Sequence, residues 1–296
     1  MRNIPYLIYT FEELKVLPEH EACAELSYYE YFEWLKRAAE QGYAEAQFEL
    51  ALFYDDEDAI EEAVEWYRKA AEQGHIEAQY NLAVCYDNGD GVRKNHKKAV
   101  EWYSKAAVQD YSKAQYNLAL CYDEGIGVKK NLEKAVELYM KAADHGEVLA
   151  FNNIGFCYEK GRGIKKDFVA AVEWYTKGAM QGDAAAQFSL ALCYYYGKGV
   201  KKDHVRAVEW YIKAASQGHA RAQNNLGNCY EKGIGVAKDI QKALYWFTEA
   251  AQQEDKRARK NLDVFAHKHL KDMKMPNDIE AEEFSFLIFS DDLIPF

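Results

Sequence analysis

Proline is almost missing from this 296-residue chain: there are four, Pro5, Pro18, Pro276 and Pro295, and none lies between residues 19 and 275. The 18 glycines do the reverse and all fall between Gly42 and Gly235. Composition alone therefore draws three segments: an N-terminal leader and cap at 1–28, an array at 29–266, and a C-terminal capping helix with an acidic, aromatic tail at 267–296. Also missing is any apolar run near the ~20 residues that a transmembrane helix needs. The start, MRNIPYLIYTFEEL, has an apolar stretch broken by Pro5 and closed by Glu12 and Glu13. It offers no small-residue cleavage site and makes a poor secretory signal, so the expected compartment is the cytoplasm. Cations are in deficit, 37 against 48 acidic residues for a net charge of -11. That balance argues against a sequence-independent nucleic-acid binder, which must neutralise phosphates. With 49% hydrophobic and 29% charged residues the chain can bury a continuous core without a membrane span.

What is present is a period. Cys85, Cys121, Cys157, Cys193 and Cys229 are 36 residues apart, and each precedes a tyrosine. Trp66, Trp102, Trp174, Trp210 and Trp246 share one frame, with Leu138 at the vacant position, and Ala-Ala doublets recur at Ala70, Ala106, Ala142 and Ala214. One supersecondary unit is stacked on copies of itself.

Each unit reads as two helices. In IEAQYNLAVCY, Ala78, Leu82 and Cys85 fall at i, i+4 and i+7; in KKAVEWYSKAA, Ala99, Val100, Tyr103, Ala106 and Ala107 form a second apolar stripe. Between them run DNGDGV, DEGIGV, EKGRGI, YYGKGV and EKGIGV. The first glycine is placed to end a helix in the left-handed conformation, where a Cβ is penalised. Asn95, Asn131, Asp167, Asp203 and Asp239 stand where an N-cap accepts an orphan N–H. The earliest unit is 32 residues long and lacks the glycine loop, which predicts a tighter turn. Upstream, YYEYFEWLKRAAEQG matches a second helix whose first helix is degenerate and interrupted by Pro18, as suits a terminal cap. Thr10 and Glu13 form a candidate capping box.

The pattern A-x-x-x-L-A/G-x-x-Y-x-x-G-x-G-V followed by A-V-E-W-Y-x-K-A-A-x-Q-G resembles the Sel-one-like repeat, a relative of the tetratricopeptide repeat. The resemblance covers seven in-frame copies over about 230 residues. It implies an all-α fold: a right-handed superhelical α-solenoid of about seven helix-turn-helix repeats of 36 residues, one of them 32, with the first helices lining a concave face. It also implies an adaptor for other proteins, since no catalytic residue belongs to the motif. A secreted branch of the family carries two cysteines per repeat joined within the hairpin; one cysteine per repeat here means that those disulfides do not carry over.

Equivalent residues of stacked repeats lie roughly ~10 Å apart, whereas a disulfide needs Cα atoms within about 7 Å. The thiols therefore read as small buried hydrophobes between helices, and they offer no converging zinc ligands. Cys23 stands outside the frame. No β-pattern precedes the glycine loops, so they are turns and not dinucleotide fingerprints. The eight histidines are scattered over loops and caps, and no serine, cysteine or carboxylate pair beside one defines a nucleophile and base. The chain is expected to have no catalytic residue, no metal site and no cofactor.

The positions expected to face the groove vary in an ordered way. They read Glu45, Phe48 and Leu52, then Glu77, Tyr80 and Val84, then Lys113, Tyr116 and Leu120. They continue as Leu149, Asn152 and Phe156, then Ala185, Phe188 and Leu192, then Arg221, Asn224 and Asn228, and finally Arg257, Lys260 and Val264. Aromatic and aliphatic residues give way to amides and cations, as in a groove for a segment with apolar anchors and an acidic end. The alternative is that the aromatics pack against the neighbouring repeat. Beside them runs an asparagine column, Asn81, Asn117, Asn153, Asn225 and Asn261. In tetratricopeptide relatives this position can bond a ligand backbone or carboxylate; the alternative is a bond to the adjacent helix. Acidic residues recur at Asp55, Asp87, Asp123, Glu159 and Glu231 and favour a basic partner.

The tail, PNDIEAEEFSFLIFSDDLIPF, has six acidic residues, no basic one and the apolar block Phe284, Phe286, Leu287, Ile288, Phe289. A free segment this apolar is an association hazard, so it is expected to dock on the array, either capping the last repeat or entering the basic end of the groove. The leading function is a non-catalytic module binding a protein or peptide partner through the concave face. The alternatives are a cytoplasmic neutralising, immunity-type partner of a basic toxin or nuclease, a structural or regulatory subunit of an enzyme complex held by the convex face, and a thiol redox sensor. No nucleic-acid or membrane partner is expected. The candidate partner-binding residues are Phe48, Tyr80, Asn81, Tyr116, Asn117, Asn153, Phe156, Phe188, Arg221, Asn224, Asn225 and Asn228.

Overall fold

The computed structural model describes residues 28–253 and 256–269, with side chains from 31 onward and, in the last helix, from 258. The candidate capping box, Cys23 and the tail lie outside the described residues. Fourteen α-helices and no strand occur among the described residues. The first is α1, Tyr28–Glu40, a second helix by pattern. Six hairpins follow: α2 Ala44–Asp56 with α3 Ile60–Glu72, α4 Ile76–Asn88 with α5 His96–Val108, α6 Ser112–Glu124 with α7 Leu132–Asp144, α8 Val148–Lys160 with α9 Phe168–Met180, α10 Ala184–Tyr196 with α11 His204–Ser216, and α12 Ala220–Lys232 with α13 Ile240–Gln252. A last first helix, α14, spans Lys256–His269. Two 13-residue helices, a seven-residue loop and a three-residue turn make the 36-residue period, and a three-residue turn at 57–59 makes the 32-residue repeat. Asp58 accommodates that tighter turn with φ +57°.

The loop chemistry follows the spacing. Gly89, Gly125, Gly161, Gly197 and Gly233 close first helices in the left-handed conformation. The N-cap side chains of Asn95, Asn131, Asp167, Asp203 and Asp239 accept from the backbone N–H of the second or third residue of α5, α7, α9, α11 and α13. The chain divides into two compact units, residues 1–145 and 146–296. Within each, alanines and leucines of the first helices, such as Ala78 with Leu82 and Ala222 with Leu226, are fully buried. Ala186 and Leu190 pack in one core with buried Tyr175, and Ala222 and Leu226 with buried Tyr211, of the second helices; Tyr67, Tyr103 and Tyr139 are equally buried.

A glutamine ladder locks five of the first helices, α2, α4, α6, α10 and α12, to the second helix before each. Buried Gln47, Gln79, Gln115, Gln187 and Gln223 donate from Nε2 to the carbonyls of Ala39, Ala71, Ala107, Ala179 and Ala215 at 3.0–3.2 Å. Their Oε1 atoms accept from Gln73, Gln109, His145, Gln217 and Gln253 at 2.7–2.9 Å. These bonds satisfy carbonyls that a helix end leaves without an intrahelical partner. In α8 the glutamine is replaced by buried Phe151, and the alanine doublet of α9 by Gly178. A Cβ at Gly178 would stand 2.9 Å from that of Ala186 and 3.0 Å from that of Phe151, so the glycine permits the close approach of α8 and α10.

Candidate partner-binding faces

Each first helix carries its predicted stripe at i, i+3 and i+7 on one face, and one further turn adds i+11. In the N-terminal unit the added residues are Asp56, Asn88 and Glu124; in the C-terminal unit they are Lys160, Tyr196, Lys232 and Lys268. Sequence reasoning stopped the stripe one turn short, although the same spacing reaches these positions. The completed stripe changes sign between units. On α2, α4 and α6 it carries Glu45, Asp56, Glu77 and Glu124 against Lys113. On α8, α10, α12 and α14 its described side chains include Lys160, Arg221, Lys232, Lys260 and Lys268 and no carboxylate. The Arg257 side chain lies outside the described set.

The aromatic candidates divide. Phe48, Tyr80, Tyr116 and Phe188 are half-buried. Each ring lies 5.8–6.0 Å from the buried tyrosine of its own hairpin, Tyr67, Tyr103, Tyr139 and Tyr211 respectively. Three also touch the residue capping the next first helix: Phe48 stacks on His75 at 4.5 Å, Tyr80 meets Tyr111 at 5.3 Å and Phe188 stacks on His219 at 4.6 Å. Packing on the neighbouring repeat therefore occupies one side of these rings. Phe156 is more open, 37% exposed, with Lys160 and Arg162 each 5.5 Å over its ring. Leu149 and Val264, on the same stripe, are 52% and 59% exposed.

The asparagine column turns inward. Asn117 donates from Nδ2 to the hydroxyls of Tyr80 and Tyr103 at 3.4 Å, Asn225 donates to Tyr211 at 3.2 Å, and Asn81 bonds Tyr67. The second-helix tyrosine becomes Phe247 in α13, and there Asn261 donates to Asn224 Oδ1 at 2.7 Å instead. Asn228 donates to the Asn224 carbonyl one turn back at 2.9 Å. Asn153 is half-buried, and Arg221 is exposed.

The acidic column is also partly internal. Tyr67 donates to Asp55 Oδ2 at 3.2 Å and Tyr175 to Glu159 Oε2 at 3.0 Å. Phe247 has no hydroxyl to offer Glu231, which instead takes Lys268 at 2.7 Å and His269 at 3.2 Å from α14. Burial raises the Glu231 pKa, but hydrogen bonds from Lys268 and His269 and their charges outweigh it and hold the carboxyl below its ordinary range. The Glu159 and Glu231 side chains are only 17% and 10% exposed, so these two contribute little to any field felt by a partner.

The five thiols of the ladder are buried. Burial pushes Cys85, Cys121 and Cys193 up to about 12 and Cys229 up to about 11, far from the thiolate that redox chemistry needs. Among the described residues no cluster of three or more His, Cys, Asp or Glu is placed to hold a metal ion. No described helix is long and apolar enough to cross a membrane.

The chain belongs to the Sel1 repeat family: the family model matches residues 32–43, 44–75, 76–111, 112–147, 150–183, 184–219 and 220–255. Such repeats are typically non-catalytic protein-interaction modules. Among solved structures, c5321, a protective antigen of uropathogenic Escherichia coli strains with this repeat fold, is 36% identical with a TM-score of 0.74. The match covers 81% of this chain and 52% of that one, so this chain spans about half the antigen's length. A Sel1 repeat protein from Oxalobacter formigenes is 33% identical over 84% of this chain and 99% of its own, with a TM-score of 0.72. No curated protein matches.

Proposed function

We propose that the chain is a non-catalytic cytoplasmic adaptor that holds a protein or peptide partner against its first-helix faces. In this reading the N-terminal unit receives a basic segment bearing apolar anchors. The observation that carries it is the stripe on α2, α4 and α6, where half-exposed Phe48, Tyr80 and Tyr116 alternate with Glu45, Asp56, Glu77 and Glu124. Partly open rings supply anchoring contacts, while the carboxylates steer a cationic partner and raise its association rate more than its affinity. A narrower form of the same reading, neutralisation of a basic toxin or nuclease, draws on the same carboxylates. The C-terminal stripe, with Phe156, Phe188 and Arg221, suits an acidic ligand instead.

A rival reading has one observation in its favour: Val169, Val205, Ile212 and Tyr245 are exposed on the second helices of the C-terminal unit, as a subunit held by that side requires. Capture from the source-cell lysate separates the two. Tyr80→Ser with Tyr116→Ser should abolish retention of the partner identified by mass spectrometry while circular dichroism stays helical, and Val205→Ser with Ile212→Ser should leave it. Undiminished capture by the first variant sinks the first-helix reading.

A further inference from the structure

We propose that the acidic, aromatic segment 276–296 of this chain is the ligand of the first-helix face of the C-terminal unit. The segment lies outside the described residues; the inference rests on the chemistry of the face, on sequence and on reach. The face has no carboxylate among its described stripe residues, and Arg221, Lys232 and Lys260 are exposed without an ion pair among the described residues. Beside these cations, Phe156 and Tyr196 are 37% and 61% exposed. Isolated exposed apolar residues are ordinary, but aromatics framed by cations of one sign form a patch that selects its occupant.

The segment is complementary in both respects. Glu280, Glu282 and Glu283 precede the block Phe284–Phe289, Asp291 and Asp292 follow it, and no cation occurs between 276 and 296. Reach is sufficient. The described chain ends at His269, at the end of the first helices that carries Lys232, and the ten residues 270–279 can span at most roughly 33 Å. Neighbouring helices pack about 10 Å apart, so the apolar block can cross α12 and α10 toward α8. Tethering sets an effective concentration on the order of millimolar, so even a weak complement is occupied. The inference names the acidic ligand of the C-terminal stripe and is independent of the reading of the N-terminal face, because none of its residues lies on the Tyr80 and Tyr116 stripe.

The test is hydrogen exchange of amides 284–289 in the full-length chain, read by mass spectrometry against a free synthetic peptide of residues 276–296. Exchange in the chain should be slowed by about tenfold or more, independently of protein concentration. Arg221→Glu with Lys232→Glu and Lys260→Glu should restore peptide-like exchange while α10 amides stay protected. Adding Glu280→Lys, Glu282→Lys and Glu283→Lys to that variant should bring the slowing back. Peptide-like exchange in the unaltered chain, or slowing that the three reversals leave intact, overturns the proposal. Slowing that grows with protein concentration also overturns it and assigns the face to a second copy.

Discussion

Gly199 and Gly182 both hold positive φ, +71° and +92°, yet a methyl group would meet very different surroundings at each. At Gly182 nothing stands within 4 Å, so Gly182→Ala should cost only the left-handed penalty, about 1 kcal/mol. At Gly199 the added Cβ would run into the carbonyl of Phe168, the first residue of α9, in the neighbouring repeat. Gly199→Ala should therefore cost about 3 kcal/mol or more, and urea midpoints of the two variants check the ordering. His219 makes a pH-dependent contribution. Burial lowers its pKa, and its neutral Nδ1 accepts from Ala222 N at 3.2 Å. The unfolded imidazole takes a proton near its ordinary value of ~6.5, whereas the folded one resists. The contribution is thus complete above that value and is lost as pH falls from it through the depressed folded pKa. Between pH values of roughly 7.5 and 5.5 the urea midpoint should fall more steeply for the unaltered chain than for His219→Asn, which keeps a capping acceptor. Equal slopes would contradict this.

At the scale of the helix and hairpin, a repeat is recognised by its alanines and tryptophans but held to its neighbour by polar bonds. Gln223→Leu would remove the bonds that Gln223 makes to the Ala215 carbonyl and from the Gln253 amide, at 3.2 and 2.8 Å, leaving that carbonyl only its bond from Gly218 N. It should destabilise the chain by about 1–2 kcal/mol, measured by chemical denaturation, because two hydrogen bonds are lost at roughly 1 kcal/mol each. The hairpin turns, the N-caps and the seven-residue loops were legible because each depends on residues within one turn of each other. The glutamine ladder was not, even though A-x-A-Q repeats in the sequence: a glutamine on a helix looks like surface until the partner helix is placed against it. The same holds for the second glycine of four of the loops. Gly91, Gly127, Gly199 and Gly235 each approach the first residue of an earlier second helix, Ile60, His96, Phe168 and His204 respectively. That contact is invisible in a local reading.

On the scale of the whole chain, a net charge of -11 conceals two faces of opposite sign, one in each unit. A partner held by Glu45, Asp56, Glu77 and Glu124 should lose affinity as salt rises, and Glu77→Lys with Glu124→Lys should remove most of that dependence; binding measured across an ionic-strength series checks it. The period, the helix pairs, the caps and the buried thiols were determined by the sequence alone, because each follows from local stereochemistry or from apolar spacing repeated in register. Tertiary structure decided which polar groups are spoken for. Asn117, Asn225 and Glu159 bond the buried tyrosine hydroxyls, and Glu231 turns to α14 where Phe247 has no hydroxyl. A polar side chain has several partners of nearly equal worth, and only the packing of one helix on the next determines which is within 3 Å.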